Sequence, residues 1–199
     1  MDRIGIIGGT GLVSIDIEAE HANDLESRGF KIIRTDEVTV QTEFGQVPLK
    51  CISIQYNGKA KELIFLQRHH NDGSANKPPH MINHKANIKA LQSSQCDVIV
   101  SVCSIGAIVN DLPPGKVALA GQYIDFTGIA TSFNDTFAVF TSVTEPFSAE
   151  LNSLLEASLR NSQSFSLEEK MYYTYWLAQG PHFETRAEVD AIDKLGGEM

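Results

Sequence analysis

A chain of 199 residues, 42% hydrophobic and 21% charged, is long enough to bury a sizeable core and short for two ordinary domains, so residues 1–199 read as one domain and a disordered chain is excluded. Sixteen Lys and Arg against 25 Asp and Glu give a net charge of −9, which works against nucleic acid or an anionic membrane surface as a partner. The longest apolar stretch, Val98 to Val109, is interrupted by Ser101 and Ser104 and falls short of the roughly 20 residues a spanning helix needs, and Met1 to Ile7 is too short for a secretion signal, so the expected compartment is the cytoplasm.

Short β-rich runs recur along the chain at Arg3 to Ile7, Lys31 to Ile33, Val47 to Gln55, Leu63 to Gln67, Asp97 to Val102, Lys116 to Ala120, Phe137 to Val143 and Met171 to Ala178. Several are apolar on consecutive positions, which suits a sheet covered on both faces. The cover comes from three predicted helices. One begins near Pro79 and carries Ile82, Ala86, Ala90 and Leu91; one follows Pro146 with Leu151, Leu154, Leu155 and Leu159; one follows Pro181 with Ala187, Ala191 and Leu195 on one face and Gly196-Gly197 as its stop. The alternation predicts an α/β fold with a central mixed β-sheet flanked by helices. Cys51, Cys96 and Cys103 are odd in number and lack CxxC spacing, so they read as buried free thiols rather than disulfides or zinc ligands.

Four segments combine residue types that carry chemistry. Ile4 to Leu12 is a strand running into Gly8-Gly9-Thr10-Gly11, a turn that can present bare backbone N–H groups and the Thr10 hydroxyl to an anion; a tight turn needing positive φ is an equal reading. Its match to a dinucleotide fingerprint fails at Ser14, where the last glycine belongs. Glu62 to His70 delivers Arg68, His69 and His70 at a strand end, where a guanidinium fork suits phosphate oxygens, although a surface arginine and a satisfied histidine explain the same residues. No HExxH-like pattern accompanies His69, His70, His80 and His84, so no metal is expected. Asp97 to Ile108 opens a strand into Cys103, Ser104 and Gly106, small residues that let a ligand approach the backbone; a nucleophilic cysteine is the sharper alternative. Gln179 to Glu188 sets Phe183 and Glu184 before a helix, a flat apolar face beside an acceptor for ring N–H groups, or else a hydrophobic staple with helix-start acids.

Taken in order, Ile6 to Leu12, Arg68-His69, Pro78 to Ile88, Gln122 to Asp125 and Gly180 to Glu188 resemble the methylthioadenosine phosphorylases and their purine nucleoside phosphorylase relatives, over essentially the whole chain. The resemblance implies a nucleoside phosphorylase-like fold and phosphorolysis of a purine nucleoside or 5′-methylthio purine nucleoside to free base and sugar 1-phosphate. Inorganic phosphate is then the co-substrate, with no metal or organic cofactor. Carried over by position, Thr10, Arg68, His69, Cys103 and Ser104 bind phosphate, and Phe183 and Glu184 border the base. The resemblance further implies a homotrimer or dimer of trimers, and it places the base-protonating residue beyond Met199, so that the chain reads as lacking the family's C-terminal third.

Glu184 stands where methylthioadenosine enzymes usually carry serine and enzymes for 6-oxopurines usually carry glutamate, which tilts the expected base toward one with an N1–H. Two other readings remain: a phosphate- or nucleoside-binding subunit without turnover, and a dinucleotide-dependent oxidoreductase resting on Gly8 to Gly11 with Asp36 after the second strand.

Overall fold

From Phe30 to Gln67 the chain forms an antiparallel meander of three strands, β2 (Phe30–Thr42), β3 (Gly45–Tyr56) and β4 (Lys59–Gln67). The computed structural model describes residues 2–9, 25–71, 76–129, 132–162 and 169–199. The chain divides into two units, Met1–Ser104 with Thr131–Phe133 and Ile105–Ala130 with Asn134–Met199.

In the first unit β1 (Arg3–Gly8) lies parallel to β4 on one side and to β5 (Val98–Val102) on the other, giving a five-stranded mixed sheet in the order β2-β3-β4-β1-β5. This is the expected α/β architecture with a mixed central sheet. The core is built from the inward positions of β3 and β4, Val47, Leu49, Ile64 and Leu66, closed by Ala86, Ala90 and Leu91 of helix α1 (His84–Ser93). Each large aliphatic side chain fully buried there contributes about 1.5–3 kcal/mol. Helix α1 starts later than the sequence suggests: Pro79–Met81 makes one 3-10 turn, Ile82 is extended, and Asn83 caps the helix by accepting from the Ala86 N–H at 3.0 Å. Strand β2 is far longer than Lys31 to Ile33, because its polar outer positions mask the alternation while its ladder with β3 runs to Thr42. Strand β5 is one edge of the sheet, β2 being the other, and Ile99 and Val102 are exposed on β5 rather than covered on both faces.

The second unit pairs β6 (Leu119–Asp125) and β7 (Tyr172–Leu177) in parallel and carries α2 (Ala149–Ser162) and α3 (Arg186–Lys194). The strand expected at Lys116 to Ala120 begins later, since Gly115 takes a positive φ and the Lys116 N–H closes a turn onto the Pro113 carbonyl. The strand expected at Phe137 to Val143 does not form. Its β-branched and aromatic residues find no ladder partner among the described residues, and β-propensity without a neighbouring strand has no hydrogen bonds to offer the backbone. Helix α3 begins at a capping box, Thr185 with Glu188, rather than directly after Pro181. Its buried side chain is Ile192 and not the expected face of Ala187, Ala191 and Leu195. Gly197 explains why: a Cβ there would come within 2.5 Å of Ile192 Cγ2 and 3.2 Å of Trp176 Cβ, so only glycine lets the chain pass this contact. All three cysteines are free; Cys51 and Cys96 are half-buried, but Cys103 is exposed, contrary to expectation, because it follows the edge strand.

Candidate functional site

Parallel register brings three strand ends side by side in the first unit, with Gly8 of β1 opposite both Gln67 of β4 and Val102 of β5. The residues that follow each strand therefore share one end of the sheet, the C-terminal end where open α/β sheets gather ligands. The Arg68 N–H donates to the Gly8 carbonyl at 3.0 Å, which ties the arginine's main chain to β1. Its guanidinium folds back over Gly9: a Cβ on that glycine would lie 3.2 Å from Arg68 Nη2 and 3.4 Å from Cζ. Gly9 does not have positive φ, so the glycine serves close approach of the guanidinium and not a left-handed turn. Thr10, with Gly11 and Leu12, lies outside the described residues.

His69 is buried, 5% exposed, and both its ring nitrogens are occupied. Nδ1 lies 2.9 Å from the Lys77 carbonyl, which can only accept, so Nδ1 carries the hydrogen; Nε2 then presents its lone pair to Arg68 Nε–H at 3.2 Å. The imidazole thus fixes one edge of the guanidinium and leaves the two Nη groups free of it. The Gln67 side chain accepts from the His69 N–H and donates to Asn76 Oδ1. Among the described residues no carboxylate pairs with Arg68, a half-buried cation in a chain of net charge −9. His84, at the start of α1, feels the same local charge: desolvation first, then Arg68 and His69, hold its imidazole below the ordinary value.

Cys103 and Ser104 follow β5 as exposed, non-regular residues, and a Cβ on Gly106 would meet nothing. In the second unit Phe183 is 94% exposed and Glu184 half-buried, just before the Thr185 cap of α3. The helix-start acid of the capping box is Glu188, held below the usual carboxylate range by the Thr185 N–H and hydroxyl, and this leaves Glu184 outside the cap. Asn87, to which neither composition nor spacing gives a role, is 3% exposed and bridges the Arg68 carbonyl and the His70 ring. The signal for it is a lone amide on the helix face that otherwise buries Ala86, Ala90 and Leu91.

The oxidoreductase reading does not survive the topology. Asp36 sits on β2, antiparallel to β3 and separated from β1 by β3 and β4, where a dinucleotide fold needs its acid on a parallel strand beside the first. Asp36 is instead ion-paired with Arg34 at 2.5 Å. Among the described residues no three His, Cys, Asp or Glu side chains gather where a metal could bind, and no described helix is long and apolar enough to cross a membrane.

Residues 3–199 match the family model described as the phosphorylase superfamily. The chain belongs to that superfamily. It is 32% identical to a 6-oxopurine nucleoside phosphorylase of Pyrococcus furiosus, an alignment covering 100% of this chain and 69% of the relative. It is 30% identical to an S-methyl-5′-thioadenosine phosphorylase of Thermofilum pendens, over 99% of this chain and 68% of that protein. A methylthioadenosine phosphorylase structure from an Antarctic soil metagenomic library superposes with a TM-score of 0.76 at 25% identity, covering 98% of this chain and 62% of the other. The chain therefore has the nucleoside phosphorylase fold expected of it and spans about two thirds of the length of these superfamily members.

Proposed function

We propose that this superfamily member takes part in phosphorolysis of a purine nucleoside or 5′-methylthio purine nucleoside, as a pentosyltransferase with inorganic phosphate as co-substrate. The observation that carries the reading is the Arg68 guanidinium, unpaired by any described carboxylate, laid on Gly9 at the common end of β4, β1 and β5. A phosphate dianion is the partner such a cation lacks. In the reaction one phosphate oxygen bonds to the anomeric carbon as the bond to the purine nitrogen breaks, and the bonding pair leaves with the base. Positive charge develops on the sugar in the transition state, so a phosphate held rigidly beside it both delivers the nucleophile and stabilises that charge.

In this reading Arg68 supplies the charge, His69 stands beside it, and the Cys103-Ser104 segment that follows β5 adds donors; Thr10 joins them by its place in the motif. Phe183 and Glu184 border the purine, supported by their position in the Gly180 to Glu188 motif and by Glu184 standing free of the α3 cap. A carboxylate there favours a 6-oxopurine, whose N1–H it can accept, over adenine. We also propose a homo-oligomeric assembly, a reading supported by the exposed side chains of Phe126, Phe137, Phe140 and Val143. The cytoplasm is the compartment that fits three free cysteines.

The test is phosphate-dependent release of base from methylthioinosine, inosine and methylthioadenosine. Release that requires phosphate, with the 6-oxopurine substrates preferred, supports the reading; no release from any of the three, with no binding of inorganic phosphate, overturns it. Phosphate binding without turnover would favour a binding subunit instead.

A further inference from the structure

Asn87 is a polar residue on a core-facing helix surface, and its carboxamide is used at both ends. Nδ2 donates to the Arg68 carbonyl at 3.2 Å, and Oδ1 lies 2.8 Å from His70 Nε2. The carbonyl can only accept, so the amide orientation is fixed and His70 Nε2 must carry the hydrogen. Packing alone does not ask for an amide between Ala86 and Ala90, where an aliphatic chain of similar volume would fill the same space without the cost of desolvating a polar group. The amide instead ties the turn carrying Arg68 and His70 to a helix that is itself anchored, through Asn83 Nδ2 and the Phe44 carbonyl at 2.7 Å, to the β2–β3 hairpin. Arg68 is thereby held at three points: its N–H by Gly8, its carbonyl by Asn87 and its Nε by His69.

We propose that Asn87 is a positioning residue for phosphate, acting through the main chain of Arg68 to keep the guanidinium at the end of β1. The inference rests on the reading that Arg68 binds phosphate. Loss of the amide lets the turn relax, and small displacements of a charged donor cost binding steeply.

The experiment titrates the full chain with inorganic phosphate by calorimetry, for wild type, Asn87→Leu, Asn87→Ser and Arg68→Ala, and records the Arg68 Nε–H resonance in wild type and in each folded Asn87 variant, assigned with Arg68→Lys. Asn87→Leu is expected to weaken phosphate binding by about tenfold and to shift or broaden the Arg68 Nε–H signal while unfolding remains cooperative. Asn87→Ser, which keeps one hydrogen-bonding group, is expected to fall between it and wild type, and it replaces Asn87→Leu if the leucine variant does not fold. A folded variant with lowered melting temperature, wild-type phosphate affinity and an unmoved Arg68 signal makes Asn87 purely structural and overturns the proposal. Equal phosphate binding by wild type and Arg68→Ala overturns the phosphate reading of Arg68 and the inference with it, whereas loss in Arg68→Ala alone overturns only the inference.

Discussion

The two ends of the parallel strands β4, β1 and β5 are built on opposite plans. At their N-terminal end the charges of Asp2, Arg3, Lys61, Glu62 and Asp97 partner one another: Asp97 Oδ2 accepts from the Asp2 and Arg3 N–H groups at 2.6 and 3.0 Å, Arg3 Nε donates to Glu62 at 2.6 Å and its Nη1 to the Ser94 carbonyl at 2.8 Å, and Lys61 meets Asp2 at 2.6 Å. At their C-terminal end one guanidinium lies on a glycine with only neutral groups fixing it. The first end is saturated and joins the strands; the second keeps a cation in place with its Nη groups unspent. A ligand site needs a group whose orientation is fixed and whose charge is not already neutralised, and only the second end offers one.

The largest effect that would break this contrast is at Arg68. Arg68→Ala is expected to lower phosphate affinity by about 100-fold, a loss of roughly 2–3 kcal/mol, with a much smaller change in melting temperature; calorimetry beside thermal unfolding measures both, and equal losses would make the arginine structural. Next comes Gly9→Val, whose side chain takes the space of the guanidinium. It should weaken phosphate binding by about tenfold while barely moving stability, because the atom it meets is the far end of a flexible side chain. Arg3→Met tests the opposite end. Loss of its hydrogen bonds should cost about 1 kcal/mol of stability and leave phosphate affinity unchanged, read from denaturant unfolding and the same titration.

Two smaller effects depend on pH. Hydrogen bonds from the Asp2 and Arg3 N–H groups hold the Asp97 carboxyl below its usual value, so the folded chain releases that proton more readily than the unfolded chain does. The stabilisation is complete above the unfolded carboxylate pKa and is lost as pH falls through the folded one. Wild type should therefore exceed Asp97→Asn in melting temperature at neutral pH, and the difference should shrink on acidification toward the depressed pKa. His84 works in the same direction over a higher range: its imidazole is held below the ordinary value, so from about pH 6.5 downward the unfolded chain takes up a proton that the folded chain refuses, and stability falls. Added phosphate beside Arg68 should raise the His84 midpoint in an NMR titration; a midpoint unmoved by phosphate would separate His84 from the site.

Much of the fold was legible because it rests on local rules. The consecutive apolar runs at Arg3 to Ile7 and Leu63 to Gln67 became β1 and β4, and Ala86, Ala90 and Leu91 became the buried face of α1. Phe137 to Val143 shows where those rules stop. It has the composition of a strand, but a strand exists only with a neighbour, and no local pattern says whether one will be there. Cys103 and Ile99 likewise look buried by type and are exposed because β5 lies at an edge.

By its sequence alone this protein fixed its superfamily, its alternation of strands and helices, and the residue types at its strand ends, since motifs and periodicities are properties of neighbours along the chain. Only the tertiary structure decided that Gly9 makes room for Arg68, that His69 turns Nε2 to the guanidinium while Nδ1 bonds the Lys77 carbonyl, and that Asn87 reaches the same turn from a helix. Each of those facts is a contact between separate segments, set by strand register and the packing of α1 on the sheet, and distances across a sheet are not encoded by spacing along a chain.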